Sequence, residues 1–201
     1  MALDEGLVER DSRTRKYFLG PLLFELGLLA EATQDTIYLS ERSGLEAVCT
    51  NRALGEYPIK ALPLDIGIRR PLGVGAGGLA MLCTMPEAEA EDVIQANGHR
   101  YEKFGSFDVD FLREAIAAGR RQGYSFIDSV VTPGTAAMGM AFPPENPVAA
   151  ISVAAISGRL TSQRRAEIAE LMSRQVRLLT AATAAKTELR AKDPSGQKGA
   201  P

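Results

Sequence analysis

One stretch limits the possible folds of this chain more than any other. It is Tyr124–Ala155, which reads GYSFIDSVV from the preceding Gly123 and closes on SVAA before Ile156. Thr135–Phe142 is apolar and small, Pro143-Pro144-Glu145-Asn146-Pro147 makes a polar turn, and Val148–Ala155 returns as a second apolar run. Apolar runs joined by a short Pro/Asn turn signal a hairpin, so antiparallel strands are expected here. Their side chains are small. Gly134, Ala136, Ala137, Gly139, Ala141, Ala149, Ala150, Ala154 and Ala155 stand where a packed sheet commonly places Leu or Phe. Such a surface either lets a helix approach closely or leaves room. Room beside Ser152, Thr135 and Asp128 is what a small-molecule pocket requires. From these residues alone both readings stay open.

At 201 residues the chain has space for one full domain and a smaller unit. Hydrophobic residues at 45% and charged residues at 24% predict an ordinary soluble core. A formal net charge of −2 argues against a broad polyanion-binding surface, so any nucleic-acid contact is expected to be local. Cys49 and Cys83 lie in apolar stretches without CxxC spacing and read as buried, reduced thiols. His99 is the single histidine, which leaves almost no material for a histidine metal site or a Ser-His triad. No metal or cofactor is expected. No signal peptide opens the chain, and no apolar run reaches the roughly 18 residues of a membrane helix. A cytoplasmic protein without membrane contact is the expectation.

Taken in order, Leu7–Arg10 and Lys16–Leu19 read as short strands flanking a turn at Asp11-Ser12-Arg13-Thr14. Arg10, Arg13, Arg15 and Lys16 cluster near that tip, either as a solvated charged hairpin or as a phosphate contact on DNA. Pro21–Ala30 predicts a short helix with Pro at its start and apolar residues on more than one face, so it wants a partner. Thr36–Glu41 and Glu46–Arg52 predict a hairpin turning at Arg42-Ser43-Gly44, and Pro58–Leu62 predicts a further strand. In Arg70–Thr84, Gly73, Gly75, Gly77 and Gly78 lead into an apolar helix, whose N-terminal N–H groups suit an anion. No Gly-Lys-Ser/Thr follows and no βαβ context surrounds it, so it is neither a Walker loop nor a dinucleotide fingerprint. Thr84-Met85-Pro86-Glu87 predicts a capping box for a helix stopping at Gly98, and Asp108 and Gly123 bracket another. Thr161 caps a long helix with Ile168, Leu171, Met172, Val176 and Leu179 at helical spacing, and Lys192–Pro201 reads as a disordered tail.

No nucleophile, base and orienting group stand together in the sequence, so an enzyme is not expected. The rival readings are a catalyst using the Gly-rich turn for an anionic substrate, with Asp128 or Ser152, and a ligand-free oligomerisation module.

Three stretches together resemble the IclR-type transcriptional regulators over roughly residues 3–186. GLVERDSRTRKYFLG resembles the wing of their winged helix-turn-helix, and PLLFELG their linker helix. RRPLGVGAGGLAML resembles the turn and helix lining their effector pocket, and GYSFIDSVVTPGTAAMGMAF with PVAAISVAAISGRLT resembles their Gly-Tyr strand and closing hairpin. The resemblance implies an α+β, GAF-like antiparallel sheet flanked by helices, at 31–186, preceded by a wing remnant at 1–20 and a linker helix at 21–30, and followed by a tail at 187–201. It further implies a DNA-binding repressor or activator that senses a small organic or aromatic acid and assembles as a homodimer or homotetramer. The implied effector residues are Gly75, Ala76, Gly77, Ile127, Asp128, Thr135, Ala137, Met138, Ser152 and Ala154. Phosphate contacts are implied for Arg13, Arg15 and Lys16. Where relatives carry a second serine or a cysteine this chain has Ala154 and Ala137, which implies a less polar, larger or aromatic effector. The family's first helices do not precede Leu3 and a helical segment is missing at Ala30–Glu31, so a truncated DNA-binding end with weakened DNA affinity is expected.

Overall fold

The computed structural model describes residues 8–10, 17–19, 21–105 and 107–192. Two short strands open it, β1 (Val8–Arg10) and β2 (Tyr17–Leu19), paired antiparallel with Val8 opposite Leu19. Helix α1 (Pro21–Thr33) then runs without a break to within three residues of strand β3 (Thr36–Ser43). β4 (Glu46–Leu54) returns beside β3, and β5 (Arg69–Pro71) adds to its far edge. Helices α2 (Ala76–Thr84), α3 (Glu87–Tyr101) and α4 (Val109–Gln122) follow. Strands β6 (Ser125–Asp128), β7 (Thr135–Phe142) and β8 (Ala149–Ile156) complete the sheet before the long α5 (Ser162–Lys192). The six main strands are ordered β5-β4-β3-β8-β7-β6, and every neighbouring pair is antiparallel.

Strand alternation splits the core in two, because successive side chains leave a strand on opposite faces. Ile37, Leu39, Met138, Ile151 and Val153 pack with Leu26, Leu29, Ile168 and Met172 of α1 and α5. On the other face Ala141, Ala150 and Ile127 meet the apolar α2 and, beyond it, Ile94, Leu112 and Ile116 of α3 and α4. Buried on both sides, α2 is apolar around its whole circumference, as its position demands.

Two close approaches set the position of α2. A Cβ on Gly139 would stand 2.6 Å from the Ala76 carbonyl oxygen, so only glycine lets the first turn of α2 lie on β7. At Gly119 a Cβ would meet the Cys83 sulfur at 2.4 Å, which brings α4 against α2. Asp108 caps α4 by accepting from the Phe111 N–H at 2.7 Å, and Gly123 ends it in the left-handed region. Thr161 accepts from the Arg164 N–H at 3.4 Å at the start of α5.

Three local expectations are corrected. Pro58–Leu62 is not a strand but part of a loop between β4 and β5, while the sheet's edge strand forms at Arg69–Pro71. Thr84 does not cap α3; its hydroxyl turns back to donate to the Ala80 carbonyl at 2.9 Å, inside the preceding helix. Gly98 does not stop α3, which continues to Tyr101 because Ala90, Val93, Ile94 and Asn97 bury its inner face. The tip residues Asp11–Lys16 and the tail from 193 lie outside the described residues. α5 extends to Lys192, past the expected start of the tail at 187. Cys49 and Cys83 are both free.

Candidate functional site

The N-terminus of α2 points at the sheet across a cavity of about 50 Å³. Its floor is the small-residue face of β7 and β8, with Ala137, Ser152 and Ala154, extended by Tyr38 and Ser40 from β3 and Ala47 from β4. The β4–β5 loop supplies Pro63 and Leu64 as one wall, and Ile127 and Val131 form the opposite one.

The helix end carries no side-chain cap, and its N-cap residue is Gly75 at φ 88°. Its leading amides are therefore free for an acceptor in the cavity. Ser125 holds the turn in place, its hydroxyl donating to the Ala76 carbonyl at 2.6 Å. Gly77 keeps the space open. A Cβ there would lie 3.2 Å from the Ser40 oxygen and 3.8 Å from the Ser152 oxygen. Both serines are deeply buried, at 4% and 7% exposure, and neither hydroxyl has a hydrogen-bond partner among the described residues. Two hydroxyls that open onto one cavity offer polar partners to a ligand there. Tyr38 also borders the cavity, but its hydroxyl is engaged, donating to the Ala61 carbonyl at 3.3 Å, and burial raises its pKa.

Of the residues singled out in the sequence, Gly75, Ala76, Gly77, Ile127, Thr135, Ala137, Ser152 and Ala154 all border this cavity. Asp128 and Met138 do not. Each follows a cavity residue by one position on a strand, and the period of two turns it to the other face. Met138 packs in the α1/α5 core, while exposed Asp128 accepts from Ser157 at 2.6 Å and from Ser129 at 2.9 Å. The Thr135 hydroxyl is spent on the Thr132 carbonyl at 2.8 Å. Arg13, Arg15 and Lys16 fall outside the described residues.

Tyr38, Ser40, Arg70, Pro63 and Leu64 border the cavity without having been singled out. Tyr38 and Ser40 alternate with Ile37 and Leu39, a period that marks one face of β3 without saying what that face meets. The loop residues carry no local signal, since only the return of β5 to the sheet edge carries them over α2.

The fold is an antiparallel sheet with helices on both faces, enclosing a mainly apolar cavity with a few polar groups at a helix N-terminus. Solved structures share it. A transcriptional regulator from Alicyclobacillus acidocaldarius superposes with a TM-score of 0.70 at 17% identity, covering 90% of this chain and 81% of that one. The Thermotoga maritima IclR gives 0.67 at 18%, with the same coverages. The effector domain of an IclR regulator from Acinetobacter sp. ADP1 gives 0.65 at 18%, covering 79% of this chain and 92% of that one. Among curated proteins, the HTH-type transcriptional repressor AllR of Klebsiella pneumoniae is 27% identical over 175 residues, 84% of this chain. The chain spans 62% of the length of that relative.

The family model for the C-terminal domain of the bacterial transcriptional regulator IclR matches residues 23–181. The chain belongs to the IclR family of transcriptional regulators and carries its C-terminal effector-binding domain.

Proposed function

We propose that the protein senses a small organic acid in the cavity between α2 and the sheet and couples its occupancy to DNA binding in the cytoplasm. The observation that carries this reading is the pair of serines, Ser40 and Ser152, buried as residues with hydroxyls that open unbonded onto the cavity, facing an uncapped helix N-terminus. A carboxylate accepts hydrogen bonds from all of these donors at once. The cavity's lining of small and apolar residues around a few polar groups suits a small organic acid. Binding rather than turnover fits the chemistry, because neither serine has a base within hydrogen-bond reach among the described residues.

Occupancy has a direct route to the DNA-proximal end. β8 carries Ser152 and leads into Arg159, which donates to Asp35 at 2.8 Å, and Arg164 of α5 donates to the same carboxylate at 2.9 Å. Asp35 lies two residues beyond the end of α1, the linker towards the β1–β2 hairpin. α1 also exposes Phe24 and Leu28, at 58% and 39%, as a face for a second copy of the chain in a homodimer.

The test is thermal unfolding of the chain with a panel of small organic acids, repeated on Ser152→Ala. A ligand at a hundred times its dissociation constant adds about 2.7 kcal/mol of stability. Stabilisation weakened by the serine change is the expected result. Equal stabilisation of both proteins places the ligand elsewhere.

A further inference from the structure

Adjacent arginines on β5 have unequal surroundings. Arg69 points outward and is paired, its Nε–H donating to Glu46 and its Nη2 to Ser43, each at 2.6 Å. Arg70 lies opposite Ala47 in the ladder and turns towards the cavity that Ala47 borders. Its Nη2 donates to the Pro63 carbonyl at 2.5 Å, and no carboxylate pairs with it among the described residues. The remaining guanidinium protons are open, and Nη1 lies 3.9 Å from where a Cβ on Gly75 would stand. Gly75 is the N-cap of α2, so a full positive charge and the positive end of a helix dipole converge on one corner of the cavity.

We propose that Arg70 is the charge-reading residue of this site, bonding the acidic group of the ligand through the guanidinium protons that the protein leaves open. This rests on the reading of the cavity as the ligand site. The acid group then sits between the Arg70/Gly75 corner and the Ser40 and Ser152 hydroxyls beside Gly77. Half-burial without a counter-ion disfavours the charged guanidinium, and its pKa is lowered by that desolvation. An anion entering the cavity supplies the missing counter-ion, whereas a neutral isostere leaves the cation as it was. The Pro63 carbonyl fixes one edge of the guanidinium beforehand, so little freedom is lost when the other edge is used. A purely structural Arg70, serving only to pin the β4–β5 loop, predicts no preference for charge.

The two are separated by NMR on the full chain, following the Arg70 Nε–H resonance and the backbone amides of Gly75 and Gly77. The probes are formate and acetate against formamide and acetamide, at ionic strength matched with chloride. The expected result is that the carboxylates move all three signals and the amides do not. Arg70→Gln should weaken acetate binding about ten- to hundredfold, the worth of a hydrogen bond to a charged group, and abolish the preference for acid over amide. Arg70→Lys should retain a preference. If the carboxylates move the Gly75 and Gly77 amides but not Arg70, or if Arg70→Gln keeps the preference, Arg70 only pins the loop and the ligand site stands without it. If no carboxylate in this set or in the wider acid panel moves any of the three signals, both readings fall.

Discussion

Gly139→Ala tests whether the position of α2 depends on a missing side chain. The new Cβ would lie 2.6 Å from the Ala76 carbonyl oxygen, 2.9 Å from its carbon and 3.0 Å from the Ser125 hydroxyl. Two of these contacts are backbone atoms, which cannot swing aside, so the first turn of α2 has to lift off β7. Overpacking a close contact costs about 1–3 kcal/mol. Lifting the turn also breaks the Ser125–Ala76 hydrogen bond of 2.6 Å, worth about 0.5–1.5 kcal/mol. Together these predict a loss of roughly 2–4 kcal/mol, or about 5–15 °C in melting temperature for a chain of this size. The measurement is urea unfolding followed by circular dichroism, with Gly98→Ala as the contrasting case. A Cβ at Gly98 meets nothing within 4 Å inside α3, so that change should stabilise by about 0.5–1 kcal/mol. A Gly139→Ala protein within about 0.5 kcal/mol of the parent, a typical surface-substitution effect, would refute the argument that this contact positions the helix.

Gly77→Ala should leave stability within about 0.5 kcal/mol, because the neighbour it meets at 3.2 Å is a side-chain hydroxyl, yet it should abolish stabilisation by organic acids in a thermal-shift assay. Asp35→Asn leaves Arg159 and Arg164 facing a neutral amide and should cost about 2–3 kcal/mol in urea unfolding; this is less than for a fully buried pair, because both arginines reach solvent. Tyr101, whose hydroxyl donates to the Leu72 carbonyl at 2.7 Å, has its pKa pushed up to about 12 by burial. Its folded pKa thus exceeds its unfolded value, so its contribution is complete below about pH 10 and fades as pH rises towards 12 and beyond. Urea midpoints at about pH 9 and pH 11 should converge in Tyr101→Phe relative to the parent.

How much of this was readable in one dimension varies by element. The caps of α4 were legible because Asp108 and Gly123 act through their own backbone within a turn. Thr84 misled for the same kind of reason, since its hydroxyl had two nearby carbonyl and amide choices and took the Ala80 carbonyl. Pro58–Leu62 has strand-like composition, but a strand needs a partner, and the open edge of β4 is taken by Arg69–Pro71 instead. The small residues of β7 and β8 announced that something lies close to the sheet. Ala137 and Ala154 border the cavity, whereas Gly139 admits the helix, so both readings of that stripe are realised at different positions.

By itself the sequence determined the order of elements, the apolar nature of α2 and the candidate anion-binding turn before it. Those properties depend on local chain chemistry and on the periods of 2 and 3.6 residues. Tertiary structure decided which face of each strand met the cavity, separating Ala137 from Met138 and Ile127 from Asp128, because one residue of register reverses every side chain. It also brought together Ser40, Arg70, Gly77 and Ser152, residues distant in the chain that share no local pattern. Only the closing of β8 onto β3, and of β5 onto β4, places their polar atoms around one space.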